Sequence, residues 1–157
     1  MRFPKVLKLL LTGGLIILMT VTFQLKINGI NLMGRLIILF SKFRALFPYI
    51  IAQAKLESAN FKSKVYLVDH NYFGIKFINS PLQKNATQGL LSPEGNHYAH
   101  FNSDVDSLVD LLRIFEVKKM PVFVRDGNEY AQRLQERGYF TAGLEQYQKN
   151  INYWLNA

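Results

Sequence analysis

The sequence predicts a mainly helical α+β domain with a small β-hairpin lobe, carried behind an N-terminal transmembrane helix, and three observations predict it. Apolar residues recur at three- and four-residue intervals before position 61 and again after position 101. Between those limits the period vanishes, and glycine, asparagine, proline and β-forming residues take over. Ahead of both runs lies an uncharged stretch from Leu9 to Leu25, at the lower limit for a helix that spans a bilayer. A chain of 157 residues, 49% apolar and 13% aromatic, can fill one core and suggests no second one.

Residues 1–30 read as a membrane anchor or signal segment and residues 31–157 as the folded domain. Arg2, Lys5 and Lys8 precede the apolar stretch, and the only small-x-small pattern near its end is Thr20-Val21-Thr22. That is a poor cleavage site, so an anchor that stays in place is expected over a cleaved signal. Lys26, Arg35, Lys42 and Arg44 on the far side offset the first basic cluster, and the positive-inside rule gives no orientation.

Lys26 to Asn31 reads as a polar break. From Leu32 to Phe47 a basic amphipathic helix is expected, with Leu36, Leu39, Phe40, Phe43 and Phe47 at helical intervals among Arg35, Lys42 and Arg44. Such a helix packs on a core and can also rest on anionic headgroups. Pro48 suits the first turn of the next helix, which carries "IIAQAKLESANF", Ile50 to Phe61. From Phe61 to Phe101 the composition predicts loops and a small hairpin, not a helix. Ser103 then caps a helix with Asp106 three residues on, and Val105, Leu108, Val109, Leu112 and Phe115 form its inward stripe. Asp104, Asp106 and Asp110 fit capping and dipole roles there. Two more helices follow, one ending at Gly138 and one whose Leu144, Tyr147, Ile151, Trp154 and Leu155 face the core.

A formal charge of +8 calls for an acidic partner: nucleic acid, anionic lipid or an anionic wall polymer. The basic residues are dispersed and accompany no nucleic-acid motif, so nucleic acid is not expected. Absence of cysteine excludes disulfides, thiolate metal sites and a cysteine nucleophile. No phosphate loop, serine elbow or dinucleotide fingerprint is present, and no cofactor is expected. His97 and His100 flank Tyr98, a pattern more often solvated or packed than metal-binding, and no metal site is expected.

Glu57 stands apart. On a helix its neighbours are Gln53, Ala54, Asn60 and Phe61, none of them basic. A carboxyl group beside apolar surface with no cation is pushed toward its protonated form, as a general acid requires. The competing reading is a solvated helix-end glutamate. Gln53, one turn earlier, could orient the carboxyl group or hold a substrate hydroxyl, and a cleft between the helical and irregular lobes suits a chain-like substrate.

Four blocks in order, "IIAQAKLESANFKS", "NYFGIKF", "YAHFNSDVDSLVDLL" and "YAQRLQERGYFT", resemble the glucosaminidase family of bacterial and phage cell-wall hydrolases. The resemblance runs from about Phe47 to Leu155. It implies a lysozyme-like fold and hydrolysis of the β-1,4 bond after N-acetylglucosamine in peptidoglycan, with Glu57 as general acid. It further implies that Asn71, Phe73 and Gly74 shape the cleft floor, that Lys76 closes their block, and that Tyr139 contacts sugar. The chain departs from the family where Ala59-Asn60-Phe61 replaces a common Gly-Trp-Gly, and where Phe140-Thr141-Ala142-Gly143 replaces Ala-Thr-Asp-Pro. Glu94 is the first candidate for a second carboxylate and Asp69 the next; failing both, the substrate's 2-acetamido oxygen can act. The implied partners are peptidoglycan strands and, through the N-terminal helix, the membrane, with the domain facing the periplasm or cell exterior. A lytic transglycosylase and a non-catalytic wall-binding or assembly component of a phage or secretion machine are the rival readings.

Overall fold

A computed structural model describes residues 26–27, 29–141 and 143–157. The expected membrane segment, Leu9 to Leu25, lies outside the described residues. Among the described residues no helix is long and apolar enough to cross a membrane.

The stretch expected as a polar break forms two short antiparallel strands, β1 (Lys26–Ile27) and β2 (Ile30–Asn31). Ile30 is fully buried in the core, and the Asn31 side chain accepts from the Met33 amide to cap α1 (Leu32–Phe40). The long amphipathic helix expected through Phe47 is broken. Ser41 ends it: its hydroxyl donates to the Ile38 carbonyl and accepts from the Phe43 amide, competing with the helical ladder. A short 3₁₀ turn, Arg44–Leu46, follows, and α2 (Phe47–Glu57) begins with Pro48 in its first turn, as expected.

The region expected to hold no helix contains α3 (Lys64–Asp69). Ser63 caps it by accepting from the Tyr66 amide. Six residues are too few for a period to show in the sequence. The expected hairpin is β3 (Ala86–Leu91) and β4 (His97–Phe101), antiparallel, with an irregularity between Gln88 and Leu91. Asp69 fixes it. The Asp69 carboxylate accepts from the Leu90 amide, and Gly89 presses so close that a Cβ there would lie 2.7 Å from an Asp69 oxygen.

The last three helices are α4 (Asp104–Val117), α5 (Gly127–Glu136) and α6 (Leu144–Asn156). Ser103 and Asp106 form the expected cap on α4, Ser103 accepting from the Asp106 amide and donating to its carboxylate. Asp104 and Asp110 do more than cap. Asp104 is buried under the hydroxyls of Tyr66 and Tyr72, and buried Asp110 holds Gln83 and Arg113. Val105, Leu108 and Phe115 of the expected inward stripe are buried and Leu111 joins them, whereas Val109, placed in that stripe by its spacing, is 47% exposed. The core joins α1, α2, α4 and α5 around Ile38, Phe43, Ile50, Leu108, Phe115 and Tyr130, while α6 packs over both α2 and α5. That packing leaves the C-terminal end of α2 facing the hairpin lobe across a groove.

Candidate active site

The groove has a volume of about 450 Å³. Glu57, the last residue of α2, supplies its acid. Phe73, Gly74, Ile75 and Lys76 line it from the small lobe, Arg113, Ile114 and Val117 from α4 with Lys118 at its C-cap, and Gly138, Tyr139 and Phe140 from the loop after α5.

The chain turns sharply after Glu57. Ala59, Asn60 and Phe61 have φ of 51°, 54° and 64°, three successive left-handed residues, the first and third at positions where the family resembled commonly has glycine. Ser58 holds this turn together. Its hydroxyl donates to the Ala54 carbonyl and accepts from the Phe61 amide, while its carbonyl accepts from the amides of Lys62 and Ser63. The turn fixes the end of α2 and with it the position of the acid.

Glu57 has a partner, but not a cation. The Tyr147 hydroxyl on α6 donates to Glu57 Oε1 at 2.7 Å. Burial raises the pKa of Glu57 above the ordinary value, and the Tyr147 hydrogen bond, which favours the carboxylate, only partly offsets it. Phe140 stacks on Tyr147, with ring centroids 3.9 Å apart and planes 13° from parallel. The phenol is therefore clamped between the acid and a ring from the groove wall. Burial also raises the pKa of Tyr147, with the Glu57 charge adding to it, so the phenol stays a donor across the physiological range. Sequence reading placed Tyr147 on a core-facing stripe and gave no sign of this contact, which joins residues 90 positions apart.

The other residues singled out from sequence divide into two groups. Phe73, Gly74 and Tyr139 line the groove. Gly74 has φ of 61°, the left-handed conformation expected of it. The Tyr139 hydroxyl donates to the Phe73 carbonyl at 2.9 Å, tying the two walls together. Gln53 and Asn71 do not line the groove. Gln53 is 0% exposed and accepts at 2.6 Å from the Tyr130 hydroxyl, so it braces α2 against α5 and is out of reach of a sugar hydroxyl. No side-chain hydrogen bond joins it to Glu57 either. Asn71 is 1% exposed and knots its own loop: Nδ2 donates to the carbonyls of Ile75 and Ala99, and Oδ1 accepts from the amides of Phe73 and Ile75. It shapes the floor from behind.

The second-carboxylate candidates also separate. Asp69 is buried, bonded to the Leu90 amide and to His100, and lies outside the groove lining. Glu94 sits in the hairpin turn with its side chain 65% exposed, paired with Lys76 at 2.9 Å. Hydrogen bonds from Lys76, from Ser92 and from its own backbone hold its pKa down at about 2. It is ionised and tied to the rim, and it is not among the groove-lining residues. Lys76 itself lies 4.0 Å from the Tyr98 ring centroid. His97 bonds the Gly89 carbonyl and His100 bonds Asp69, so both act as packing residues of the hairpin.

Two groove cations went unremarked in the sequence, Arg113 and Lys118. Arg113 is anchored through Nε to Asp110, and the Lys118 ammonium donates to the Arg137 carbonyl. Arg113 falls outside the inward stripe of α4 that drew attention, and Lys118 caps the end of that helix.

The arrangement offers a partly buried acid whose pKa its surroundings raise, a phenol that positions it, and a groove with aromatic and cationic walls. It can donate one proton to a leaving oxygen. Comparison with known proteins bears on which oxygen. The family model described as mannosyl-glycoprotein endo-beta-N-acetylglucosaminidase matches residues 40–157, well over half of the chain. A solved structure of a type VI secretion system effector–immunity complex from Pseudomonas protegens is similar with a TM-score of 0.52 and 20% identity, covering 71% of this chain and 79% of that one. At that identity the likeness speaks to the fold alone. No curated protein matches the chain.

Proposed function

The chain belongs to the glucosaminidase family, and we propose that it is a peptidoglycan hydrolase cleaving the β-1,4 bond after N-acetylglucosamine in a lysozyme-like cleft, with Glu57 as general acid. The observation that carries this reading is the partly buried position of Glu57 at the groove with a phenol, not a cation, as its partner. A leaving alkoxide must be protonated as its bond breaks, and only a carboxyl group still protonated near neutral pH can do that.

Glu57 gives its proton to the glycosidic oxygen as the bond from C1 to that oxygen breaks. Tyr147 keeps its bond to Oε1, leaving the other carboxyl oxygen to carry the transferred proton. Glu57 is the one carboxylate among the described residues that line this groove, which favours the substrate's own acetamido oxygen as nucleophile. That oxygen closes on C1 to give a cyclic oxazolinium. Water then adds to C1, the ring opens, and the Glu57 carboxylate takes the proton from that water. Two inversions leave the product in the β configuration. Glu94, held at the rim by Lys76, takes the lesser role of shaping the hairpin edge.

Phe73, Gly74 and Tyr139 form the surface against which the sugars lie, and Gln53 and Asn71 position that surface from behind. The net charge of +8 retains the enzyme on an anionic wall. The uncharged stretch from Leu9 to Leu25 tethers it to the membrane with the domain facing outward, where its substrate is.

The test is digestion of purified peptidoglycan by the protein and by Glu57→Gln, with the new ends identified by mass spectrometry. N-acetylglucosamine reducing ends that vanish in the variant are expected. Anhydro-muramic ends would make it a lytic transglycosylase. Wall binding without cleavage, indifferent to the substitution, would make it a structural component.

A further inference from the structure

The groove that holds Glu57 does not stop at Arg113. A second depression of about 280 Å³ shares that residue as a wall and continues over Leu82, Lys84, Val109 and Asp110. Its chemistry differs from the groove's. No aromatic ring lines it for a sugar to stack on, and its one carboxylate, Asp110, is buried and already bonded to Gln83 and Arg113. Leu82 and Val109, 59% and 47% exposed, give it an apolar surface instead.

Two cations flank that surface. Lys84 is exposed and has no ion pair among the described residues. Arg113 is fixed differently. Its Nε is tied to the buried carboxylate of Asp110, whose other oxygen accepts from Gln83 Nε2 at 3.1 Å. The guanidinium is thus held in place with its terminal nitrogens free of any described partner. A planar fork of that kind suits a carboxylate, and an adjacent flexible ammonium suits a second one. Apolar surface for small side chains beside two cations describes a site for a short acidic peptide of small residues.

We propose that this side depression binds the stem peptide of peptidoglycan, with Arg113 and Lys84 on its carboxylates and Leu82 and Val109 against its alanine methyl groups. The proposal rests on the glycan-cleaving reading above. A bond that follows N-acetylglucosamine in the wall has a muramic acid on its other side, and that sugar carries the peptide. A peptide site for such a substrate must adjoin the catalytic groove, as this depression does through Arg113.

The test gives the full-length protein in detergent two polymers from one wall preparation: intact peptidoglycan, and glycan strands freed of peptide by an amidase. The expected result is a preference for the peptide-bearing polymer of roughly tenfold in kcat/KM, the effect of one well-made charged contact. In Lys84→Glu and in Val109→Asp the ratio of the two rates falls toward one. In parallel, the synthetic tetrapeptide N-acetyl-L-Ala-γ-D-Glu-L-Lys-D-Ala, whose blocked amine leaves two carboxylates against one ammonium, is titrated into Glu57→Gln by calorimetry, with and without Lys84→Glu. Binding that the second substitution weakens at least fivefold supports the site. Equal cleavage of both polymers, or variants that lower both rates in proportion, overturns the peptide site and leaves the glycosidase reading standing. Peptide binding without cleavage of either polymer does the reverse, and absence of both overturns both.

Discussion

Removing the Asn71 side chain separates a residue that builds the groove from one that touches sugar. The side chain closes four hydrogen bonds within its own loop and to β4. In Asn71→Ala the amides of Phe73 and Ile75 and the carbonyl of Ala99 lose it, while the Ile75 carbonyl keeps the Ala99 amide at 2.8 Å. Each buried group left without a partner costs about 1–3 kcal/mol, and water reaching the loosened loop recovers part of that. A loss of roughly 3–5 kcal/mol follows for the three, a large share of the ~5–15 kcal/mol that a domain has. Urea unfolding followed by near-ultraviolet circular dichroism measures it as a lower midpoint. Asn71→Asp is no rescue, because a carboxylate oxygen would then face the Ile75 and Ala99 carbonyls. An unchanged midpoint accompanied by a raised KM for peptidoglycan would refute the reasoning and make Asn71 a sugar ligand.

Three further outcomes are expected. Tyr147→Phe removes the hydrogen bond that favours the Glu57 carboxylate, so the alkaline limb of the kcat/KM profile moves to higher pH; a limb that stays in place or moves down contradicts the assignment. Because burial raises the Glu57 pKa, the folded state holds this proton more tightly than the unfolded chain. Its contribution is fully present below the ordinary value of 4.5 and is lost as pH rises through the folded-state value. Glu57→Gln, which never ionises, is therefore expected to melt higher than the wild type at pH 8 but not at pH 4, and equal melting temperatures at pH 8 would count against a buried acid. Ala59→Gly relieves a left-handed alanine and is expected to stabilise by about 0.5–1 kcal/mol, the conformational gain exceeding the added freedom of the unfolded chain; destabilisation in urea would show that the turn tolerates alanine without strain.

Helices with long stripes were legible in the sequence. The cap and period of α4, the closing glycine of α5 and the stripe of α6 stood out because apolar spacing and capping residues are local properties. The six-residue α3 escaped because it is shorter than two turns, although Ser63 at its start was a usable signal. Ser41 inside an apolar run was another, since a serine that bonds its own backbone can end a helix. Glu57 was legible because the lack of a nearby cation is also local. What surrounds it was not. Tyr147 reaches it from α6, Gln53 is closed off by Tyr130 on α5, and the Asn71 knot depends on the hairpin, all contacts set by tertiary packing. A polar residue one turn from an acid looks like part of the site until the partner that buries it is known.

The central claim, a carboxyl group kept neutral by its surroundings at the moment it is needed, is tested most directly by following the ¹³C carboxyl resonance of Glu57 against pH beside the kcat/KM profile of the same preparation. A midpoint well above the ordinary glutamate value, coinciding with the alkaline limb of activity, is the predicted result. A carboxyl group that titrates near 4.5 while activity persists to neutral pH would contradict it.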